Sequence, residues 1–133
     1  MKTIKQKVDF NCNCNDLYNY LINPRKLSKI IGGKVTNTQK VGGKFSAYDG
    51  YIFGEIIELD PGKKIVLKWA CQDFPDKQFS TVNIIFKGKT PKTCEIDFTH
   101  DDVPDELFED LSLGWNEFYW DPIKDYLQDL MWK

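Results

Sequence analysis

Apolar residues recur at every second position through most of the first hundred residues, and at every third or fourth position from Asp105 onward. In the first part, Ile4, Val8 and Phe10 fall on one face, and Thr3, Lys5, Lys7 and Asp9 on the other. Ile65, Leu67 and Trp69 alternate with Lys64 and Lys68; Val82, Ile84 and Phe86 with Thr81, Asn83 and Lys87; Cys94, Ile96 and Phe98 with Glu95, Asp97 and Thr99. A period of two predicts half-buried strands. Its repetition in neighbouring segments predicts an antiparallel sheet with one face covered. Phe45 to Tyr48 and Tyr51 to Leu59 are two further strands, separated at Asp49-Gly50, a tight hairpin signal; residues 35–40 are a weaker, polar candidate. Asp60-Pro61-Gly62-Lys63 and Gly88 to Lys92 read as turns, and Gln72 to Gln78, with Phe74-Pro75-Asp76-Lys77, as a loop.

The helical pattern comes in two places. After the first strand, Asn13 or Asn15 is placed to cap a short helix carrying Leu17, Tyr20 and Leu21. Asn23-Pro24 ends it, because a residue before proline is pushed out of the helical region. A second short helix fits Arg25 to Ile31 and stops at Gly32-Gly33. From Asp105, the stripe Leu107, Leu111, Trp115, Phe118, Tyr119, Ile123, Leu127 and Leu130 predicts one long helix. Pro122 lies inside it and predicts a kink or a restart. That helix is the natural cover for the buried face of the sheet. The expected architecture is α+β: a curved antiparallel sheet of about six or seven strands wrapped on a long C-terminal helix, with short helices after the first strand. This is the helix-grip arrangement, which often leaves a cavity between helix and sheet. With no repeat, linker or low-complexity tract, residues 1–133 are expected to form one domain.

Composition narrows the function. No window approaches the length of a membrane-spanning helix, and MKTIKQKVDF lacks the apolar run of a signal peptide. These features predict a soluble, cytoplasmic protein. A formal net charge of −2 argues against a nucleic-acid binder. The charge is uneven: residues 1–68 carry 12 Lys and Arg against 6 Asp and Glu, whereas residues 69–133 carry 6 against 14. If that separation survives folding, the basic side is suited to an acidic protein partner. Without a secretory signal, the four cysteines are not expected to form disulfides. Cys71 and Cys94 sit in apolar strand patterns as small core residues. Cys12-x-Cys14 is not a zinc spacing without a second ligand pair. No metal or other cofactor is expected.

No spacing of a catalytic site is present, which favours binding over chemistry. His100, the only histidine, continues the Cys94, Ile96, Phe98 face and points inward at a strand end; near-neutral titration is possible for it on sequence grounds alone. No Ser or Cys nucleophile can be assigned to it. Asp101, Asp102, Asp105, Glu106, Glu109 and Asp110 form an acidic cluster that suits a carboxylate pair for acid-base work or a metal site, or more simply favours a helix N-terminus through its dipole. Phe53, Trp69, Phe86, Trp115 and Tyr119 are candidates either to line a ligand cavity or simply to fill the core. Arg25, Lys26, Lys29 and Lys34 form either a solvated face or a partner-docking patch. Gln6, on the apolar face of the first strand, is a buried amide that needs partners and is a weak marker for a cavity.

A specific set of motifs carries a family resemblance. These are Gly42-Gly43-Lys44-Phe45, Asp49-Gly50, Gly54-Glu55, Ile65-Val66-Leu67-Lys68-Trp69, Phe74-Pro75 before Phe79-Ser80-Thr81-Val82, and Gly114-Trp115 with Phe118-Tyr119. The sequence from about residue 3 to about residue 130 resembles the C-terminal domain of the activators of heat-shock protein 90 (HSP90) ATPase, the Aha-type co-chaperones of the START-like, Bet v-like SRPBCC superfamily. Lys68-Trp69 and Phe74-Pro75 resemble the eukaryotic members more than the bacterial ones. The resemblance implies a non-enzymatic co-chaperone that contacts the N-terminal ATP-binding domains of HSP90 and favours their closed, ATPase-competent state. Read as a docking patch, Arg25, Lys26, Lys29 and Lys34 fit the charge asymmetry and an acidic chaperone surface. The full eukaryotic activators carry a separate N-terminal domain that supplies much of the stimulation. Here residue 1 opens the first strand, so a single-domain relative is expected. The alternative expectation is a carrier of a small apolar molecule in the helix-grip cavity. An enzyme of the cyclase or hydrolase type is a third reading, with His100 as its only candidate.

Overall fold

The structure, a computed structural model, describes residues 1–131. Seven strands form one antiparallel sheet: β1 (Lys2–Phe10), β2 (Thr36–Asn37), β3 (Lys44–Ala47), β4 (Ile52–Asp60), β5 (Lys64–Cys71), β6 (Ser80–Thr90) and β7 (Thr93–Val103). Their order is β1-β7-β6-β5-β4-β3-β2. Every neighbour follows in sequence except β1 and β7, which pair through Val8 with Ile96 and Phe10 with Cys94. That pairing brings the first strand beside the last. Between β1 and β2 lie α1 (Cys14–Ile22) and α2 (Pro24–Ile31). The C-terminal helix lies against the sheet's concave face, as a helix-grip fold requires.

Local chemistry explains the boundaries. Asn13 Oδ1 accepts from the Asp16 N–H at 2.8 Å and caps α1. Asn23 closes α1 and opens α2, accepting from the Arg25 and Lys26 N–H groups at 3.0 and 3.1 Å. Pro24 occupies the first turn of α2, where its missing N–H costs nothing. Gly32 ends α2 with φ +78°. In β4, Gly54 lies opposite Trp69, and a Cβ there would run into the Lys68 carbonyl. Only glycine permits that approach.

The C-terminal helix departs from the simple stripe. It opens with a 3-10 turn (Asp105–Leu107), continues as α3 (Phe108–Trp115), widens into a π-helical segment (Asn116–Trp120) and closes as α4 (Asp121–Met131). The restart expected at Pro122 is real and takes this form. A π segment adds one residue to a turn and rotates the residues beyond it about the helix axis. Tyr119 and Trp120 are therefore both buried, Trp120 completely, whereas Phe118 is 48% exposed. Phe118 and Leu130, expected in the buried stripe, face outward, and Trp120 takes the central place. Proline at 122 has no N–H to return to the Phe118 carbonyl. The Tyr48 hydroxyl donates to that carbonyl instead, at 2.6 Å.

The cysteine expectation is corrected at Cys94. Cys14, at the start of α1, is disulfide-bonded to Cys94 of β7. The reason is tertiary: α1 packs on β6 and β7 and sets its first residue beside the start of β7, a proximity that 80 residues of separation conceal. Cys71 is a buried free thiol, and Cys12 is a partly buried one whose pKa is pushed up to about 11 by burial and by Asp16.

Closing a loop of this length restricts the unfolded chain by about 4 kcal/mol in the chain-entropy account. Reduction with a phosphine, or the pair Cys14→Ser with Cys94→Ser, should therefore lower the melting temperature by roughly 10 °C or more. Thermal unfolding with and without reductant checks this; equal melting temperatures would show that the bond adds no stability.

Candidate functional site

A cavity of about 420 Å³ opens between the C-terminal helix and one end of the sheet. Three parts of the chain build it. The β3–β4 turn supplies Tyr48 and Tyr51, the end of β5 and the loop after it supply Cys71 and Asp73, and the helix supplies Leu107, Asp110, Leu111, Gly114, Trp115, Phe118 and Tyr119. Ile52 and Trp69 form part of its wall. The turn is tightly wound: Tyr48, Asp49 and Gly50 have φ values of 51°, 58° and 89°. A positive φ is uncommon for tyrosine. Here it coincides with a side chain that reaches the helix, where Tyr48 meets both Phe118 and Tyr119 edge-on, with ring centroids 5.7 and 6.2 Å away. Burial pushes the Tyr48 pKa up to about 12 and that of Tyr119 higher still. The Tyr51 hydroxyl donates to Asp73 Oδ2, and this bond raises the Tyr51 pKa.

Of the five aromatic candidates, the structure brings three together. Trp69, Trp115 and Tyr119 line this cavity. Phe53 does not: it is 38% exposed and packs edge-on against Phe79, away from the helix. Its neighbour Ile52 takes the inward position in β4, so strand alternation sends Phe53 outward. Phe86 is buried, but against Tyr18 of α1. Asp110, read from the sequence only as part of the acidic cluster, also lines the cavity; Tyr48, Tyr51 and Asp73 escaped sequence reasoning because turn and loop residues carry no periodicity.

The polar candidates resolve into structural roles. Gln6 ties β1 to the helix: its Nε2 donates to the Ser112 carbonyl at 3.0 Å, and its Oε1 accepts from Trp120 Nε1 at 2.8 Å. The amide is thus paired on both sides and lies outside the cavity. In the acidic cluster, Asp101 accepts from Thr3 Oγ1 at 2.9 Å, and Asp105 lies 2.9 Å from the Met1 amino group. Glu109 and Asp110 sit in the first turn of α3, where the helix dipole favours carboxylates.

His100 is completely buried. Trp115 Nε1 lies 3.1 Å from its Nδ1, and Ser80 Oγ lies 2.7 Å from its Nε2. An indole N–H can only donate. Nδ1 is therefore the acceptor, and the ring proton sits on Nε2, directed at Ser80. Ser80 in turn donates to the Trp69 carbonyl at 2.8 Å. The chain runs Trp115 to His100 to Ser80 to Trp69, with each donor matched to an acceptor. In this arrangement the imidazole gives its proton to Ser80 and cannot take one from it, the reverse of what serine activation needs. Burial holds the His100 pKa down to about 3, which corrects the expectation of near-neutral titration.

The basic candidates share one region. Arg25, Lys26 and Lys29 are exposed on α2, and Lys34 is exposed just beyond it. Among the described residues none of the four forms an ion pair; Lys26 lies over the Tyr20 ring at 5.9 Å.

The fold and the cavity define a START-like, helix-grip domain. Residues 11–128 match the model of the "Activator of Hsp90 ATPase homolog 1-like protein" family, and the chain belongs to that family. It is 32% identical over 123 residues to the Dictyostelium discoideum activator of 90 kDa heat shock protein ATPase homolog, covering 92% of this chain and 32% of that protein. It is 29% identical over 121 residues to the human homolog 1, covering 91% of this chain and 36% of that one. The chain thus spans about a third of the length of these curated relatives. The crystal structure of an HSP90 activator from Plasmodium falciparum superposes with a TM-score of 0.91 at 25% identity, over 96% of this chain and 97% of that one. The Aha1 dimer from Colwellia psychrerythraea, at 17% identity and a TM-score of 0.79, shares the fold.

The depressed His100 pKa has a consequence for stability. Above about pH 6.5 the imidazole is neutral in both folded and unfolded chains. Below that, only the unfolded chain gains the proton, so stability falls as pH drops from about 6.5 towards about 3. The loss attributable to this group is on the order of 4 kcal/mol at the acid end. His100→Gln, whose amide can accept from Trp115 and donate to Ser80, should flatten that part of the profile. Denaturant titrations of both proteins between pH 4 and pH 7 check it; identical slopes would mean that His100 does not titrate differently on folding.

Proposed function

We propose that this chain is a co-chaperone that binds HSP90 and favours its closed, ATPase-competent state. The observation that carries the reading is the near-complete overlap with the Plasmodium falciparum HSP90 activator, 97% of whose chain is matched. The curated relatives, named as activators of the 90 kDa heat shock protein ATPase, point the same way. A cytoplasmic location goes with this reading.

The mechanism we propose is differential affinity. A partner shifts a conformational equilibrium only by binding one state better. A preference of about 1.4 kcal/mol already shifts it roughly tenfold, so a modest interface is sufficient. Exposed Arg25, Lys26, Lys29 and Lys34, without ion-pair partners among the described residues, supply the charge for docking on an acidic surface of the ATP-binding region. Charges of this kind act mainly on the association rate and its salt dependence.

The cavity supports a second reading, a small-molecule site. Its volume of about 420 Å³ falls within the roughly 300–1,000 Å³ range of ligand pockets.

Calorimetry with purified HSP90, beside its ATPase rate, tests the first reading. Arg25→Glu, Lys26→Glu and Lys29→Glu together should weaken binding by about tenfold and flatten its salt dependence. Unchanged affinity in the triple variant would remove the patch from the interface. No binding by the unaltered chain would overturn the co-chaperone reading itself.

A further inference from the structure

Gly114 is the residue that invites explanation. It lies within α3, where glycine costs roughly 0.5–1 kcal/mol relative to alanine. It does not have a positive φ. A Cβ built on it would meet only Phe118 Cδ2, at an ordinary 3.6 Å. Neither backbone geometry nor crowding calls for glycine here. What glycine does provide is space, because position 114 faces the cavity.

The chemistry around that space is one-sided. Six aromatic rings line it: Tyr48, Tyr51, Trp69, Trp115, Phe118 and Tyr119. The charged residues of the lining are Asp73 and Asp110, both exposed; among the described residues no lysine or arginine lines it. Tyr51 holds Asp73 in place through its hydroxyl. Aromatic faces carry negative potential and attract cations, most strongly when several surround one ammonium group. Two carboxylates beside them add to that potential and disfavour an anion.

Resting on the reading of the cavity as a small-molecule site, we propose that it takes an organic cation: an apolar body seated against Trp69, Trp115 and Leu111, with an amine or quaternary ammonium group held among the aromatic rings by Asp73 and Asp110. The ligand is recognised by charge as well as by apolar surface. Fatty acids and other anionic amphiphiles are disfavoured by the same carboxylates.

Three probes of matched chain length separate the contributions: octyltrimethylammonium, 1-octanol and octanoate, each below its micellar concentration. Binding is followed by calorimetry and by the fluorescence of the cavity tryptophans. The cation should bind about tenfold or more tightly than octanoate, with the alcohol between them. Asp73→Asn with Asp110→Asn, both surface changes, should bring the cation to the level of the alcohol. Gly114→Leu should abolish binding of all three while leaving the melting temperature unchanged or higher, since leucine is the better helix former. If the alcohol binds in the cavity but the cation gains nothing over octanoate, the charge inference fails and the small-molecule reading stands. If none of the three binds, both fail. Binding that persists in Gly114→Leu places the probes elsewhere and overturns the assignment.

Discussion

Everything about the helix-grip arrangement here depends on the extra residue in the π segment at Asn116–Trp120. A uniform α-helix would present Trp115, Phe118 and Tyr119 to the sheet and carry Trp120 round toward the flank. The widened turn rotates Trp120 into the interior, where it stacks on Trp115 with ring centroids 5.6 Å apart and planes 20° from parallel. Phe98 of β7 then fits against both indoles, 4.7 Å from Trp115 and 5.4 Å from Trp120. Aromatic groups of this size dominate core energetics, so two buried indoles anchor the helix far more firmly than the aliphatic stripe would. A π turn weakens the helix locally, and Pro122 removes a further donor. Tyr48 offsets part of that cost by donating to the Phe118 carbonyl, which receives no N–H from position 122.

Each buried indole also brings an N–H that must find an acceptor. The two solutions differ in kind. Trp120 takes the Gln6 side chain, whose amide spends its own N–H on the Ser112 carbonyl. Trp115 takes His100, which passes its remaining proton to Ser80 and so to the Trp69 carbonyl. Polar residues on an apolar strand face thus read as the complement of tryptophans on the helix. The helix is fixed in rotation by directional bonds as well as by packing, because either indole would lose its acceptor if the helix turned. The lowered pKa of His100 follows from its burial.

Much of the fold was legible because it depends on short-range periodicity. The alternation in β1, β6 and β7, the Asn23-Pro24 boundary and the switch of period at Asp105 are local signals, and they order the elements correctly. The errors arise where one residue of register matters. Phe53 and Ile52 are adjacent, both apolar, and only the pairing of β4 decides which faces in. Phe118 and Trp120 exchange places because the π insertion has no local signature beyond Pro122. The Cys14–Cys94 bond joins residues 80 apart and depends on how α1 lands on the sheet. In the candidate site, the tryptophans and Asp110 of the acidic cluster were visible, and the tyrosines of the β3–β4 turn and Asp73 were not. The former sit on periodic elements, whereas the latter sit in turns and loops.

The two halves of the C-terminal helix hold to the sheet unequally. Trp120, Ile123 and Leu127 are sealed, whereas Leu107, Phe108 and Leu111 are only half-buried and Gly114 contributes no side chain at all. Packing in the distal half is sufficient to retain the helix, and this is what allows the proximal half to stand off and leave a void. That void is bounded by a turn with three successive positive φ values, held to the helix by one tyrosine hydroxyl. Tyr48 and Phe118, whose hydrogen bond ties the β3–β4 turn to the π segment, both line the cavity, so a molecule bound there would lie against both sides of that link. A binding event there would be felt at the point that sets the rotation of the helix, and through it by the indoles packed against β7.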